Sequence, residues 1–398
     1  MYSHMSSNDI RSSAQRIQIC EHMPSGESIL IPLQTEILNT DYFLMPIPVL
    51  KLPFLIQQSI WKEMNYSQLT VFSFCSLRIR RLIEFLNLTA PKFRYSIQEG
   101  SLHFSIPYDS GNKTVLFLRE KQRLRKKKSQ KINLSDVKVR ARISRRFDNQ
   151  GDIYYMLYVR RIGRTIQRAL QQHVNSLFHY SGPNELKIKI DWKFSSPFCL
   201  SKLKRLPSLK KVTDGFIRGE KIDAKTLEDY FTKYPNHHSV RIEAKINGVI
   251  SEDSKIWNIE RLCIQKQASE MFLRRFTGQH LVLVDTKWKF PDLLHLLEEW
   301  VSNRAFQNLT TLLITEAWKG MNGIDYDEMI GRFRLQQYKP TIASRQPTHI
   351  HYNTHIIDVW VMDIELKYFY EMKRSDGKRA VLRCDPQVVF FFVDDNME

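Results

Sequence analysis

Apolar residues recur with two different periods along this chain, and the change of period marks its organisation. From Pro48 to Leu86 the spacing is helical. Leu52, Ile56, Ile60 and Met64 fall every four residues, forming one apolar ridge on a helix of about 13 residues. Pro53 opens that helix, where a missing N–H costs little. Asn65 is a suitable terminator, and Ser67 a suitable N-cap for a second helix of about 19 residues. Leu69, Phe72, Ser76, Ile79, Ile83 and Leu86 trace its inner face, with Arg78, Arg80 and Arg81 mostly outside.

From Phe93 the pattern shortens to β-like runs. Phe93–Ile97, Leu102–Ile106 and Val115–Leu118 are divided by turn-rich Gln98-Glu99-Gly100 and Asp109-Ser110-Gly111-Asn112, which predicts an antiparallel meander. Ile153–Val159 predicts another strand, and Thr165–Phe178 a helix with Ile166, Leu170, Val174 and Leu177 on one face. Further strands are expected at Leu186–Ile190, Val240–Ile246, Leu281–Val284 and Leu309–Ile314. A helix from Pro291 to Trp300 sits between the last two. Strand, helix, strand at irregular intervals points to layers of the leucine-rich-repeat kind. In Trp360–Met372 every even residue is apolar or aromatic, which predicts a strand with one buried face. Ser375-Asp376-Gly377-Lys378 then supplies a turn, Ala380–Cys384 the returning strand and Val388–Val393 one more.

These periods predict an α+β chain. A short helical module at 41–90 follows a flexible, polar tail at 1–40. A large mixed α/β domain over 91–398 ends in an antiparallel hairpin and carries a basic insert around 119–147. At 398 residues and 42% hydrophobic content the chain can bury a sizeable core. Its strongest purely apolar run, Val388–Val393, is far short of the ~20 residues that cross a bilayer. The first 40 residues have neither the basic start nor the apolar stretch of a secretory signal. The five cysteines (Cys20, Cys75, Cys199, Cys263, Cys384) are odd in number and widely spaced, which favours free thiols in a cytoplasmic or nuclear protein.

Charge changes this picture at one place. The net charge is +18, and residues 113–168 hold 18 Lys or Arg against four Asp or Glu. The densest run is Lys121, Arg123, Arg125, Lys126, Lys127 and Lys128. Three readings stay open: a solvated loop facing acidic partners, a nuclear-import address, or a patch for nucleic-acid phosphates. Aromatic residues are sparse from Lys121 to Arg146, so base stacking is not indicated.

Two short helices cannot bury the apolar surface of residues 48–86 by themselves, so that segment calls for a partner. Leu50-x-Leu52-Pro53, the spaced Ile56, Ile60 and Met64, and Leu69-x-x-Phe72-Ser73-x-Cys75-Ser76 before Arg80-Arg81-Leu82 resemble an F-box of the large nematode family. Phe54 replaces the family's usual Glu. Leu296-Leu297-Glu298-Glu299-Trp300 followed by Leu309-Thr310-Thr311-Leu312 resembles the F-box-associated type 2 domain. Ser302-Asn303 stands where that domain has a Gly, and Lys373–Ala380 is similar to its closing hairpin. The resemblance implies a substrate-recognition subunit of a Skp–cullin–F-box ubiquitin ligase. It implies docking on a Skp-family adaptor through Leu50, Leu52, Pro53, Ile56, Ile60, Met64, Leu69, Phe72, Cys75 and Ser76. The C-terminal domain would hold a target protein, which the sequence does not name, and catalysis would be supplied in trans.

No enzyme chemistry is legible. Neither G-x-x-x-x-G-K-[ST] nor G-x-G-x-x-G occurs, and no cofactor is expected. His349, His351 and His355 lack a nearby carboxylate or thiolate and read as surface or strand-face histidines rather than a metal site.

Overall fold

The computed structural model describes residues 49–98, 100–108, 111–125, 129–147, 153–189, 209–266, 270–285, 289–315, 325–338, 369–384 and 388–393. The tail, the three histidines at 349–355, Lys126, Lys127, Lys128 and residues 360–368 of the strand expected over Trp360–Met372 lie outside these residues. By contacts the chain divides into two units, Met1–Asn65 and Tyr66–Glu398.

In the first unit a 3-10 turn, Val49–Lys51, leads through Pro53 into α1, Phe54–Lys62. Pro53 takes the extended N-cap conformation, and the Gln57 side chain donates to the Leu52 carbonyl at 2.6 Å. That amide ties the first turn of the helix to the segment before it. α1 is shorter than its periodicity predicts, stopping at Lys62 with Glu63 as C-cap.

In the second unit the expected long helix is two helices. α2 spans Tyr66–Ser73 and α3 spans Leu77–Phe85. Ser73 donates its hydroxyl to the Thr70 carbonyl at 2.6 Å, and the Ser76 side chain accepts from the Ile79 N–H at 3.2 Å. Local side-chain bonds of this kind compete with the helical ladder. Ser67, expected as an N-cap, lies inside α2 and donates to the Val115 carbonyl at 2.6 Å.

The strands that follow are β1 (Phe93–Gln98), β2 (Ser101–Tyr108), β3 (Gly111–Glu120), β4 (Gln130–Leu134), β5 (Val137–Phe147) and β6 (Ile153–Val159). After α4 (Arg164–Leu177) come β7 (Asn184–Lys189), β8 (Val212–Asp223), α5 (Ala224–Lys233), β9 (Ser239–Asn247) and β10 (Arg261–Ile264). Then come α6 (Phe272–Arg275), β11 (His280–Val284), α7 (Phe290–Val301), β12 (Thr311–Thr315), α8 (Tyr326–Phe333) and β13 (Gln336–Gln337). The described chain closes with β14 (Phe369–Lys373), β15 (Arg379–Cys384) and β16 (Val388–Val393).

Among the described residues sixteen strands join one mixed sheet, ordered β13-β14-β15-β16-β12-β11-β10-β9-β8-β7-β1-β2-β3-β6-β5-β4. The meander β1-β2-β3 is antiparallel as expected. From β1 through β7 to β12 the neighbours are parallel, each added beside its predecessor, before β16, β15 and β14 return antiparallel. The protein is thus mixed α/β, built on one sheet.

Register makes the core. Leu186, Gly215, Val240, Leu262, Leu281, Leu312 and Phe391 form one continuous buried rung across seven strands. Gly215 interrupts the large side chains because a Cβ there would stand 2.7 Å from the Tyr230 hydroxyl. α5 does carry a helical period, with Leu227, Tyr230 and Phe231 buried, whereas β8 and β10 have no clear one. In β8 the reason is visible: Gly215 stands on its inner face, and Asp214, Phe216 and Arg218 on its outer one.

Within the basic insert, Lys121–Arg125 lie outside any helix or strand with Lys121, Arg123 and Arg125 exposed. The larger part of the insert is the β4–β5 hairpin, turning at Ser135-Asp136 with Ser135 in the left-handed region. β5 pairs with β6, leaving β4 as the last strand of the sheet. Among the described residues no helix is long and apolar enough to cross a membrane.

Candidate functional site

The ten residues matched to the F-box fall into both units. In the first, Leu50 is buried, Leu52, Ile60 and Met64 are half-buried, and Pro53 is exposed. Ile56 is 48% exposed. Two further exposed apolar side chains of this unit are Leu55 at 72% and its neighbour Phe54 at 44%, which helical periodicity did not select. A periodic ridge marks the inward side of a helix, so residues beside it escape that search.

In the second unit Leu69 is only 1% exposed, Phe72 and Ser76 are half-buried and Cys75 is exposed. α2 and α3 are built into the sheet domain rather than standing apart from it. α2 packs on β3, β6 and α4, and α3 packs on α4. Tyr66 meets Phe178 edge-on at 5.0 Å, and Ser176 donates to Glu84 at 2.6 Å. Buried His173 accepts the Ser135 N–H on Nδ1 at 3.1 Å and meets the Ser73 hydroxyl through Nε2 at 2.7 Å. With Nδ1 an acceptor, Nε2 carries the proton. Burial, reinforced by Arg80, pushes its pKa down to about 3. Leu69 belongs to this core, so its part in any docking is structural support.

The two C-terminal segments matched to the family domain meet in space. The Arg374 guanidinium lies 5.3 Å over the Trp300 ring and grips Asp376 at 2.9 and 2.7 Å. Ser375 donates its N–H to the Val301 carbonyl at 2.8 Å. Hydrogen bonds from Arg374 lower the Asp376 pKa to about 2. Gly377 turns the hairpin at φ +95°, a conformation glycine adopts without strain.

The sheet presents two unlike faces. On one, Ile132, Leu134, Val139, Ala141, Leu157 and Leu118 are buried beneath α2 and α4. The other is apolar toward β16, where Cys263, Val282, Leu313, Val381 and Phe390 form a buried cluster, and charged from β9 to β4. Near its middle Phe216 lies between Lys187 at 4.5 Å and Arg241 at 5.5 Å. Here every carboxylate is engaged: Arg94 with Glu185 at 2.8 Å, Lys92 with Asp214 at 2.6 Å, and Arg218 and Arg241 with Glu243 at 3.4 and 2.6 Å. Burial, then Arg94, lowers the Lys187 pKa. Burial, then Lys187 and Arg94, brings His103 down to about 4.

Toward β4 the same face is cationic without acids. β5 directs Lys138, Arg140, Arg142 and Arg146 to it, and the register places Lys131 beside Arg140, Tyr158 beside Arg142 and Tyr154 beside Arg146. Lys121, the first residue of the predicted basic run, sits 5.4 Å from the Tyr158 ring. Arg123 and Arg125 are exposed. Sequence reading found the charge but missed these tyrosines, because β6 brings them from outside the basic segment.

A cavity of about 670 Å³ opens elsewhere, at the starts of β8 and β9, walled by Lys211, Thr213, Tyr234 and His237. Among the described residues no cluster of His, Cys, Asp or Glu is placed to hold a metal ion. Comparison of the chain with protein-family models, with curated proteins and with solved structures gave no match.

Proposed function

We propose that the chain is the substrate-recognition subunit of a Skp–cullin–F-box ubiquitin ligase, acting in the cytoplasm or nucleus. In this reading it has no catalytic residues of its own. The first unit docks on the Skp-family adaptor, and the sheet domain holds the target, so ubiquitin transfer follows from proximity. The observation that carries the reading is the exposed run Phe54-Leu55-Ile56, directly after Leu52-Pro53. Three consecutive large apolar side chains at the start of a helix are costly in water and favourable against an apolar partner. The meeting of Trp300 with Arg374 supports it further, since it joins the two distant segments that resemble one family domain.

The test is capture of a purified Skp-type adaptor by the full chain. Leu55→Glu should weaken capture by at least about tenfold while leaving thermal unfolding unchanged, since the side chain is 72% exposed. L52A/P53A should act in the same direction. Undiminished capture by the Leu55→Glu chain would overturn the proposal.

A further inference from the structure

The cations on the sheet face opposite α2 and α4 differ in their company. From β7 to β9 they are matched to Glu185, Asp214 and Glu243. Some exposed arginines elsewhere are also matched, Arg304 to Glu299 at 2.7 Å and Arg274 to Asp292 at 2.7 Å. On β4 and β5 unmatched cations are gathered on one face. Among the described residues Lys131, Lys138, Arg140, Arg142 and Arg146 have no carboxylate within ion-pair distance. Glu120 on β3 is committed to the Ile162 N–H at 2.8 Å, and Asp136 in the β4–β5 turn makes no ion pair with these cations.

Alternate residues of a strand stand ~7 Å apart on one face. Arg140 and Arg142 therefore form a row of like charges whose mutual repulsion opposes folding. An extended polypeptide has the same spacing, so carboxylates at its alternate positions meet that row, and each guanidinium can take one in bidentate fashion. Stacking of the bases of a single-stranded nucleic acid would call for free aromatic faces as well as charge. Tyr158 has Lys121 at 5.4 Å and Arg142 at 6.0 Å over its ring, and Arg146 reaches its hydroxyl at 3.5 Å. On the same face Phe117 packs against His103 at 5.5 Å. The face is thus equipped for carboxylates more than for bases.

We infer that the β4–β5–β6 face, through Lys131, Arg140, Arg142 and Arg146 around Tyr158, docks an acidic extended segment of a protein. This rests on the substrate-receptor reading only in naming that protein as the target.

The experiment uses the full chain and a fluorescent peptide of alternating glutamate and serine, with oligouridylate as a competing probe. Fluorescence anisotropy should show peptide binding that weakens with salt. R140A/R142A/R146A should weaken it about tenfold, as three exposed ion pairs of modest strength would. Should that variant not fold, R140K/R142K/R146K keeps the charge and loses the fork, and should weaken peptide binding by a smaller factor. Adaptor capture by either variant should be unchanged. Failure of the full chain to bind the peptide, binding indifferent to these substitutions, or tighter binding of oligouridylate at the same arginines would each overturn the inference. Peptide binding by an unsubstituted chain that fails to capture the adaptor would sink the receptor reading and leave this face standing.

Discussion

His173 shows how a single buried side chain ties three elements together. Its ring joins α4 to Ser73 of α2 and to the turn before β5. Only the neutral ring can accept the Ser135 N–H, and the folded pKa of about 3 lies below the ordinary value of 6.5. The stability this neutral ring contributes is complete above pH ~6.5 and is lost as pH falls toward the folded value. Burial depresses His237 and His103 in the same direction, each to about 4. Urea unfolding should therefore show stability falling steadily from pH 7 to pH 4.5. His173→Gln should reduce the slope while costing about 2 kcal/mol at pH 7 through the orphaned Ser135 N–H. An identical slope in the variant would remove His173 from this account.

Among the elements, α2 and α3 show why a period alone misplaces a boundary. Leu69, Phe72, Ile79 and Ile83 keep one face across the break, so the apolar pattern runs on as though the helix were continuous. The break is made by Ser73 and Ser76, whose hydroxyls bond to nearby backbone. Ser76→Ala should cost about 1 kcal/mol in chemical unfolding, with Ser76→Asp close to neutral because it can also cap. Equal losses for both substitutions would mean that the serine acts through packing and not as a cap. β8 teaches the opposite lesson. Gly215 holds the inward-facing position where neighbouring strands carry apolar side chains, so its period is weak although its pairing is extensive.

For the whole molecule the central question is which exposed apolar surface is interface and which buried surface is core. Leu55 and Leu69 both belong to the apolar segment that sequence reading treated as one module. Leu69→Ala should destabilise the sheet domain by about 2–5 kcal/mol, as buried leucines do. Its effect on adaptor capture should vanish at temperatures where the variant is still folded. Loss of capture by a fully folded Leu69→Ala chain would show instead that α2 opens to reach the partner. A fragment cut after Leu88 would carry α2 and α3 without the strands and α4 that cover them, so docking is best measured on the full chain.

Much of this architecture was legible before any coordinates. The meander, Ile153–Val159, the helix after Thr165, the β11-α7-β12 unit and the closing hairpin each rest on a local period or turn residue. Local geometry dictates such signals, because side-chain direction repeats every 3.6 residues in a helix and every two in a strand. Pairing between distant strands is not written locally. The parallel order from β1 through β7 to β12 and the placing of Tyr158 beside Arg142 both depend on long-range register. The sequence by itself determined where charge and apolar surface are concentrated. Tertiary structure decided that the larger part of the basic insert is an edge hairpin beside tyrosines, and that half of the apolar module is core, since burial belongs to packed neighbours and not to spacing.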